Sequence, residues 1–284
     1  MAITKLTDIS SFVNSIYERT VLVAREMNLM TNLVENYGAQ GWMARSFNTR
    51  PTVSYDTVSD GVDYSNPTTF NKSLIGTLTP SEKIGQFILT DQNVETDPDG
   101  ARQQAYQELG ESSAEKIDTD LLGVFPSFTT DKGDGAGSTA TLANFSAAIA
   151  VVRNAKAPMS GVSAVLHPYH WHDIWVELGM PAATYANKDL LTTIALQDYF
   201  MTRMVGVNIF TSANISVDDS DDAVSGIFHR RAIAMDTRRA LRIEPERDAS
   251  LRAWELNATM GYAVGLGERP AWGVKFTADA AEPS

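Results

Sequence analysis

The sequence predicts an α+β fold, in which helices and strands occupy different stretches of the chain. Three observations carry this. Residues 9–37 and 99–125 repeat apolar side chains at spacings of three and four. Residues 42–90 and 226–276 read instead as extended segments broken by turn signals. Only residues 142–215 alternate helix with strand.

The elements can be justified in order. Over residues 9–37, Ile9, Phe12, Val13, Ile16, Tyr17, Thr20, Ala24, Met27, Leu33 and Tyr37 form one helical stripe. Thr7 or Asp8 can cap its start and Gly38 can end it. Such a stripe needs a partner surface. Residues 42–53, 58–62, 68–78 and 85–90 then read as extended, punctuated by Asp60-Gly61, Asn66-Pro67 and Pro80-Ser81. The tip, residues 56–70, is polar with few large aliphatics. A two-stranded hairpin of this kind buries no core of its own, so it is expected to project and lie on something else.

Residues 99–125 predict a long helix. Tyr106, Leu109, Ser113, Ile117, Leu121 and Val124 share a stripe, with Gln103, Gln107, Glu111, Glu115 and Asp118 mostly outside it. Asp97-Pro98 offers a start signal and Pro126 a stop. The glycine-rich residues 131–141 read as a flexible linker. Beyond them come helix 142–155, strand 162–167, helix 168–178 opened by Pro168, helix 189–200 and strand 205–215. The acidic turn Asp218-Asp219-Ser220-Asp221-Asp222 closes this region, and the arginine-laced strands of 226–276 come last.

Composition narrows the function. The chain has 284 residues, 43% of them hydrophobic, enough for a substantial core. It has no cysteine, which excludes a disulfide scaffold, thiolate zinc sites and thiol catalysis. No secretory signal is read at the N-terminus, and no run approaches the roughly 20 apolar residues of a membrane helix. A soluble protein is expected. The net charge of −12 argues against general electrostatic binding of nucleic acid. The charge is also divided. Between Ser54 and Asp134, fifteen acidic residues face five basic ones; between His229 and Arg252, seven arginines face four acids. Complementary surfaces of this kind set register when copies of one chain meet.

No catalytic motif stands out. His167, His170 and His172, beside Asp173, are the one metal-like cluster. On a helix begun by Pro168, His170 and His172 lie about 200° apart and do not share an ion. Trp171 and Trp175, four residues apart, are expected to pack on each other. The glycines between 133 and 137 lack the Gly-Lys-Thr ending of a phosphate loop.

Several motifs, taken in order, carry a resemblance. Ala114-Glu-Lys-Ile-Asp-Thr-Asp-Leu-Leu-Gly ends the long helix. Ala164-Val-Leu-His-Pro-Tyr-His-Trp-His-Asp-Ile runs from strand through proline into helix. Ala232-Ile-Ala-Met, Leu241-Arg-Ile-Glu-Pro-Glu-Arg, Ala253-Trp-Glu-Leu and Gly261-Tyr-Ala-Val-Gly form the late strands, and Arg269-Pro-Ala-Trp-Gly-Val ends the series. This order resembles the major capsid (coat) protein of tailed bacteriophages, the Hong Kong-type fold. The resemblance implies an N-terminal arm (1–45), an extended hairpin or E-loop (46–90), and a spine helix with the first part of a peripheral domain (91–138). It further implies an axial domain (139–228) and returning peripheral strands with a tail (229–284).

The resemblance also implies a structural role without enzymatic activity or cofactor. Copies would form hexamers and pentamers of an icosahedral virion shell around double-stranded DNA, with no sequence-specific DNA contact and no membrane. A portal protein is an implied partner, a decoration protein is an optional one, assembly would use a separate scaffolding protein or none, and it would take place in the host bacterial cytoplasm. The helical arm starts so near Met1 that a fused scaffolding segment is not expected. Lys72 and Asn257 match the residue types of a covalent crosslink, but no motif surrounds either, so crosslinking is not expected. An encapsulin-type nanocompartment shell is the first alternative, and a soluble metal-dependent hydrolase using His167, His170 and His172 a remote one.

Inter-subunit contacts are expected from Phe12, Ile16 and Tyr17 of the arm and from Val53, Tyr55, Tyr64 and Phe70 of the hairpin. Arg230, Arg231, Arg238, Arg239 and Arg242 are expected to meet acids of a neighbour. Reversing Arg238 and Arg239 together is expected to block particle formation while the monomer stays folded.

Overall fold

The computed structural model describes residues 29–38, 41–96, 100–182, 200–204 and 206–283. A single helical turn, α1 (Met30–Leu33), leads into β1 (Glu35–Gly38). β2 (Arg45–Thr49) and β3 (Ser73–Leu78) pair as the stem of the long hairpin, and β4 (Ser81–Thr90) comes next. Then come α2 (Asp91–Thr96), α3 (Gly100–Leu122) and a 3-10 turn at Phe125–Ser127. The next stretch carries α4 (Leu142–Asn154), β5 (Val162–Leu166), α5 (Pro168–Ala182), β6 (Phe200–Met204) and β7 (Val207–Thr211). Four long strands complete the chain: β8 (Asp222–His229), β9 (Ile233–Asp248), β10 (Ala253–Leu266) and β11 (Gly273–Asp279).

Two sheets result. One has the order β1-β9-β10-β4 and the other β11-β8-β5-β7-β6. In the first, α3 covers one face. Leu89, Leu256, Ala258 and Ile243 alternate toward the helix and close on its Ala105 and Leu109. Their neighbours Ile84, Gln86 and Ile88 point the other way, as period-two alternation requires. In the second sheet both faces are covered. Ala164 and Leu166 of β5 face α4, through Phe145, Ile149 and Val152. Val165 faces Phe125, Phe128 and Phe228 on the opposite side. All five residues of β5 are therefore buried, and its run reads as continuous rather than alternating hydrophobicity.

The structure changes several expectations. Residues 9–28 of the expected arm helix, the 97–99 start signal and most of the 189–200 helix lie outside the described residues. Within 29–38 the helix stops at Leu33. Glu35–Gly38 pairs in parallel with Ala234–Thr237, and Tyr37 packs on Phe47 at 5.5 Å. A ladder and an aromatic contact outweigh the helical spacing where Asn-Tyr-Gly offers poor helix formers. Phe200, expected at a helix end, lies in β6.

The glycine-rich residues 131–141 are not a free linker. Asp131 bridges Lys275, and the Gly135 N–H donates to the Thr277 carbonyl at 3.0 Å. A Cβ on Gly133 would lie 2.0 Å from that carbonyl oxygen. Glycine is used here for close backbone approach rather than for flexibility. The Asp134 carboxylate then accepts from the Thr141 N–H and the Asn144 side-chain amide, fixing the start of α4.

Asp118, read as outside the helix stripe, is 2% exposed. It accepts from the Met30 N–H at 2.9 Å and from Asn214 Nδ2 at 3.2 Å, and burial pushes its carboxyl up. It fastens α1 and the turn after β7 to α3. The late strands also do not stay together: β11 pairs with β8 in the five-stranded sheet, not with β9 or β10.

Candidate assembly surfaces

β2 and β3 pair from Arg45–Leu78 to Thr49–Ser73, and the ladder stops there. Residues 52–72 beyond it are exposed throughout. Their two limbs are tied locally. Arg50 stacks over Phe70 at 4.9 Å, the Tyr64 hydroxyl donates to Asp56 at 2.8 Å, and the chain reverses at Asp60-Gly61, where Gly61 takes φ +78°. Val53, Tyr55, Val58, Val62, Tyr64 and Phe70 all face solvent, and Tyr55 is 99% exposed. The four hairpin residues expected to make contacts are thus displayed and uncovered by the described chain. Phe12, Ile16 and Tyr17 lie outside the described residues.

A second exposed apolar group lies on β4, the outer strand of its sheet. Ile84 and Ile88 stand on the face away from α3, and Phe87 is partly exposed on the other. An uncovered strand edge with apolar residues is a surface that pairs with other chains.

The arginines are arranged differently from the expectation of neighbour contacts alone. Each of four has an acid within its own chain. Arg230 pairs with Glu35 at 3.3 Å, Arg239 with Glu82 at 2.6 Å, and Arg242 with Glu244. Arg238 is the buried one: its side chain is 5% exposed and lies 2.5 Å from the fully buried Asp236. Asp236 also accepts from Arg45 Nε at 2.9 Å, so one carboxylate holds two guanidinium groups. The triad joins the hairpin stem to β9. Arg231 lies in a 3-10 turn, where its N–H donates to His229 Nδ1 at 3.2 Å.

Trp42 lies against Gly261, where a Cβ would come within 2.5 Å of its ring, and Arg239 stacks over it at 5.4 Å. Arg239, Glu82, Arg242 and Glu244 therefore form a partly exposed charged row across the outer sheet face. Exposed pairs of this kind contribute little to folding and remain available to exchange partners.

The histidines do not converge on a metal. His170 is buried with both ring nitrogens engaged. Ser225 Oγ accepts the His167 N–H, which leaves its own proton for His170 Nδ1 at 2.8 Å, and Nε2–H donates to the Ala278 carbonyl at 3.0 Å. His172 is exposed beside Asp173. Trp171 and Trp175 pack at 6.0 Å, as their spacing predicts. Burial lowers the pKa of His170 to about 4, with the carbonyl contact opposing.

That shift has a stability consequence. The unfolded chain takes up this proton near pH 6.5 and the folded one only near 4. Stability from His170 is thus present above pH 6.5 and is lost as pH falls to 4, by about 3 kcal/mol. Urea midpoints measured across this range should fall with acid in the native chain and fall distinctly less in a His170→Phe variant. Equal slopes in the two would refute this account.

The sequence marks Asp236, beside Arg238 and Arg239, as an acid for ion pairs between subunits, whereas the structure pairs it within the subunit; the roles of Arg45 and Asp118 escape the sequence reading. Arg45 and Asp118 meet partners 191 and 88 residues away, which no local pattern marks.

A displayed apolar hairpin and an open sheet edge suit the class of structural proteins that work by meeting other protein surfaces. Comparison with known proteins makes this specific. The family model for phage capsid protein matches residues 76–276, and the chain belongs to that family. It is a structural protein of a phage capsid, and its place is the virion capsid. The Hong Kong-type coat fold is shown by solved relatives. The capsid of cyanophage P-SCSP1u aligns with TM-score 0.67 at 12% identity, covering 89% of each chain. Mycobacterium phage Che8 aligns with TM-score 0.66 at 16% identity, covering 88% of this chain and 90% of that one. The mature capsid of bacteriophage PhiM1 aligns with TM-score 0.63 at 15% identity, covering 90% and 88%. No curated protein matches the sequence. The family supports neither the nanocompartment nor the hydrolase.

Proposed function

We propose that copies of this chain assemble into the hexamers and pentamers of a closed icosahedral shell around double-stranded DNA, in the cytoplasm of a host bacterium. In this reading residues 46–90 are the E-loop and α3 the spine helix. The sheet of β1, β4, β9 and β10 belongs to the peripheral domain, and the five-stranded sheet lies in the axial domain. A portal protein is the further partner, with a separate scaffolding protein or none and an optional decoration protein.

The observation that carries the reading is the hairpin. Six apolar or aromatic side chains between Val53 and Phe70 stay exposed, and Arg50 over Phe70 and Asp56 on Tyr64 belong to the hairpin itself. Displaying them costs the monomer hydrophobic stabilisation, which burial on a neighbour recovers at about 25 cal/mol per Å². Repetition around a closed symmetry then multiplies each weak contact. The net charge of −12 suits a wall that does not hold packed DNA to itself.

Replacing residues 52–70 by a short Gly-Ser turn tests this. The expected product has native circular dichroism and a native melting curve, sediments as a subunit and forms no particles in negative stain. Normal DNA-filled shells from that variant would sink the proposal.

A further inference from the structure

At the root of the hairpin lies a cleft of about 580 Å³. Phe47 and Ile75 form its apolar floor, and Arg50, Lys72 and Arg269 stand around it. Arg45, also in the wall, is neutralised by Asp236. The one carboxylate present, Glu268, accepts the Tyr37 hydroxyl at 3.1 Å. No carboxylate lies within ion-pair distance of Arg50, Lys72 or Arg269 among the described residues.

The placement of two of these cations is unfavourable in the isolated chain. Thr49 pairs with Ser73, so Arg50 and Lys72 are the next residues across the stem. Like charges facing each other across a hairpin repel, and the ladder ends at this point. Arg50 stacks over Phe70 and Arg269 over Trp272 at 5.7 Å, but neither contact neutralises the charge, so the cleft favours an anion.

The chain carries a matching group. Between Ser54 and Asn66 there are three acids, Asp56, Asp60 and Asp63, and no base. The same stretch holds Tyr55 and Val58, exposed, to meet the apolar floor. The tip does not reach the cleft of its own subunit. Its limbs are tied to each other at Arg50–Phe70 and at Asp56–Tyr64, which keeps the loop extended. The eleven residues that follow Arg50, up to Gly61, then carry the turn as much as ~36 Å away from the root.

We propose that this cleft is the receptor for the acidic hairpin tip of a second copy, so that each subunit offers one tip and one cleft. The contact is heterologous, head to tail, and closes into a ring when the rotation between successive copies divides a full turn without translation. It rests on the shell reading above and adds to it the residues that receive the hairpin.

The absence of cysteine makes the test clean. Chains carrying both Asp60→Cys and Lys72→Cys, assembled and then oxidised, should run as a ladder of disulfide-linked multimers on non-reducing gels. A mixture of the two single variants should give dimers only. Charge reversal gives a second reading. Asp56→Lys, Asp60→Lys and Asp63→Lys together should reduce the assembled fraction at least tenfold, with the melting curve unchanged. Adding Arg50→Glu, Lys72→Glu and Arg269→Glu should restore at least half of it. Shells that form normally from the reversed tip, or that give monomer bands alone after oxidation, overturn the cleft assignment and leave the shell reading standing. So does an internal disulfide within one chain. A wild-type chain that never forms particles overturns both.

Discussion

Replacing Asp236 with asparagine is expected to destabilise the subunit by roughly 3–5 kcal/mol, because it leaves buried guanidinium charge without its counter-charge. The side chain of Arg238 is only 5% exposed, and its buried Nε has no hydrogen-bond partner among the described residues. Asp236 is therefore its one carboxylate there. Arg45 is better placed, since it is partly exposed and stacks over Tyr37 at 4.8 Å. Urea unfolding of the subunit measures the loss. Because a buried pair costs desolvation as well, replacing both partners by Asp236→Leu with Arg238→Met should recover more than half of it. An Asp236→Asn variant within about 1 kcal/mol of wild type would show that water reaches the arginine. The same geometry revises the expectation for Arg238. Reversing its charge acts on folding before it acts on assembly, whereas Arg239, paired with Glu82 at the surface, remains a fair probe of contacts between subunits.

Phe125→Ala is expected to cost a similar amount, about 3–5 kcal/mol. Phe125 is fully buried beside Phe228, at 5.5 Å, and Phe128, at 6.3 Å. Its ring also fills the space over Gly226, where a Cβ would meet the ring at 2.6 Å. Ring and glycine are complementary, so Gly226→Ala alone should destabilise by overpacking. In the double variant the new methyl enters the space the ring vacated. The double variant should thus be more stable than the sum of the two singles by about 1 kcal/mol or more. Strict additivity in urea melts would refute the fit.

How much of the fold is legible in the sequence depends on the range of the interaction. The long helix, the strand at β5, the helix opened by Pro168 and the two late strands are set by apolar spacing and proline, which act within a few residues. The hairpin is legible as an element that cannot support itself, and its aromatic residues stand out for that reason. The glycine-rich segment misleads because glycine marks both a flexible chain and a close approach. Only Thr277, 144 residues after Gly133, decides between them. The 30–38 region misleads for a related reason: its partner, β9, lies about two hundred residues on. The cleft is half visible. Once the hairpin register is known, Arg50 and Lys72 stand opposite each other, but nothing in the sequence points to Arg269.

The connections between the two sheets have a mechanical consequence. The chain crosses from one to the other after α3, again between β8 and β9, and again between β10 and β11. The last two crossings are bonded to each other: the Gly267 N–H donates to the Ala232 carbonyl at 2.8 Å and that of Arg269 to the Arg231 carbonyl at 3.1 Å. Trp272 wedges against His229 at 5.0 Å beside them. Three covalent struts, two of them cross-braced, give this joint no single axis about which to bend. The two halves of the subunit are therefore expected to move together under load, with the hairpin as the compliant part.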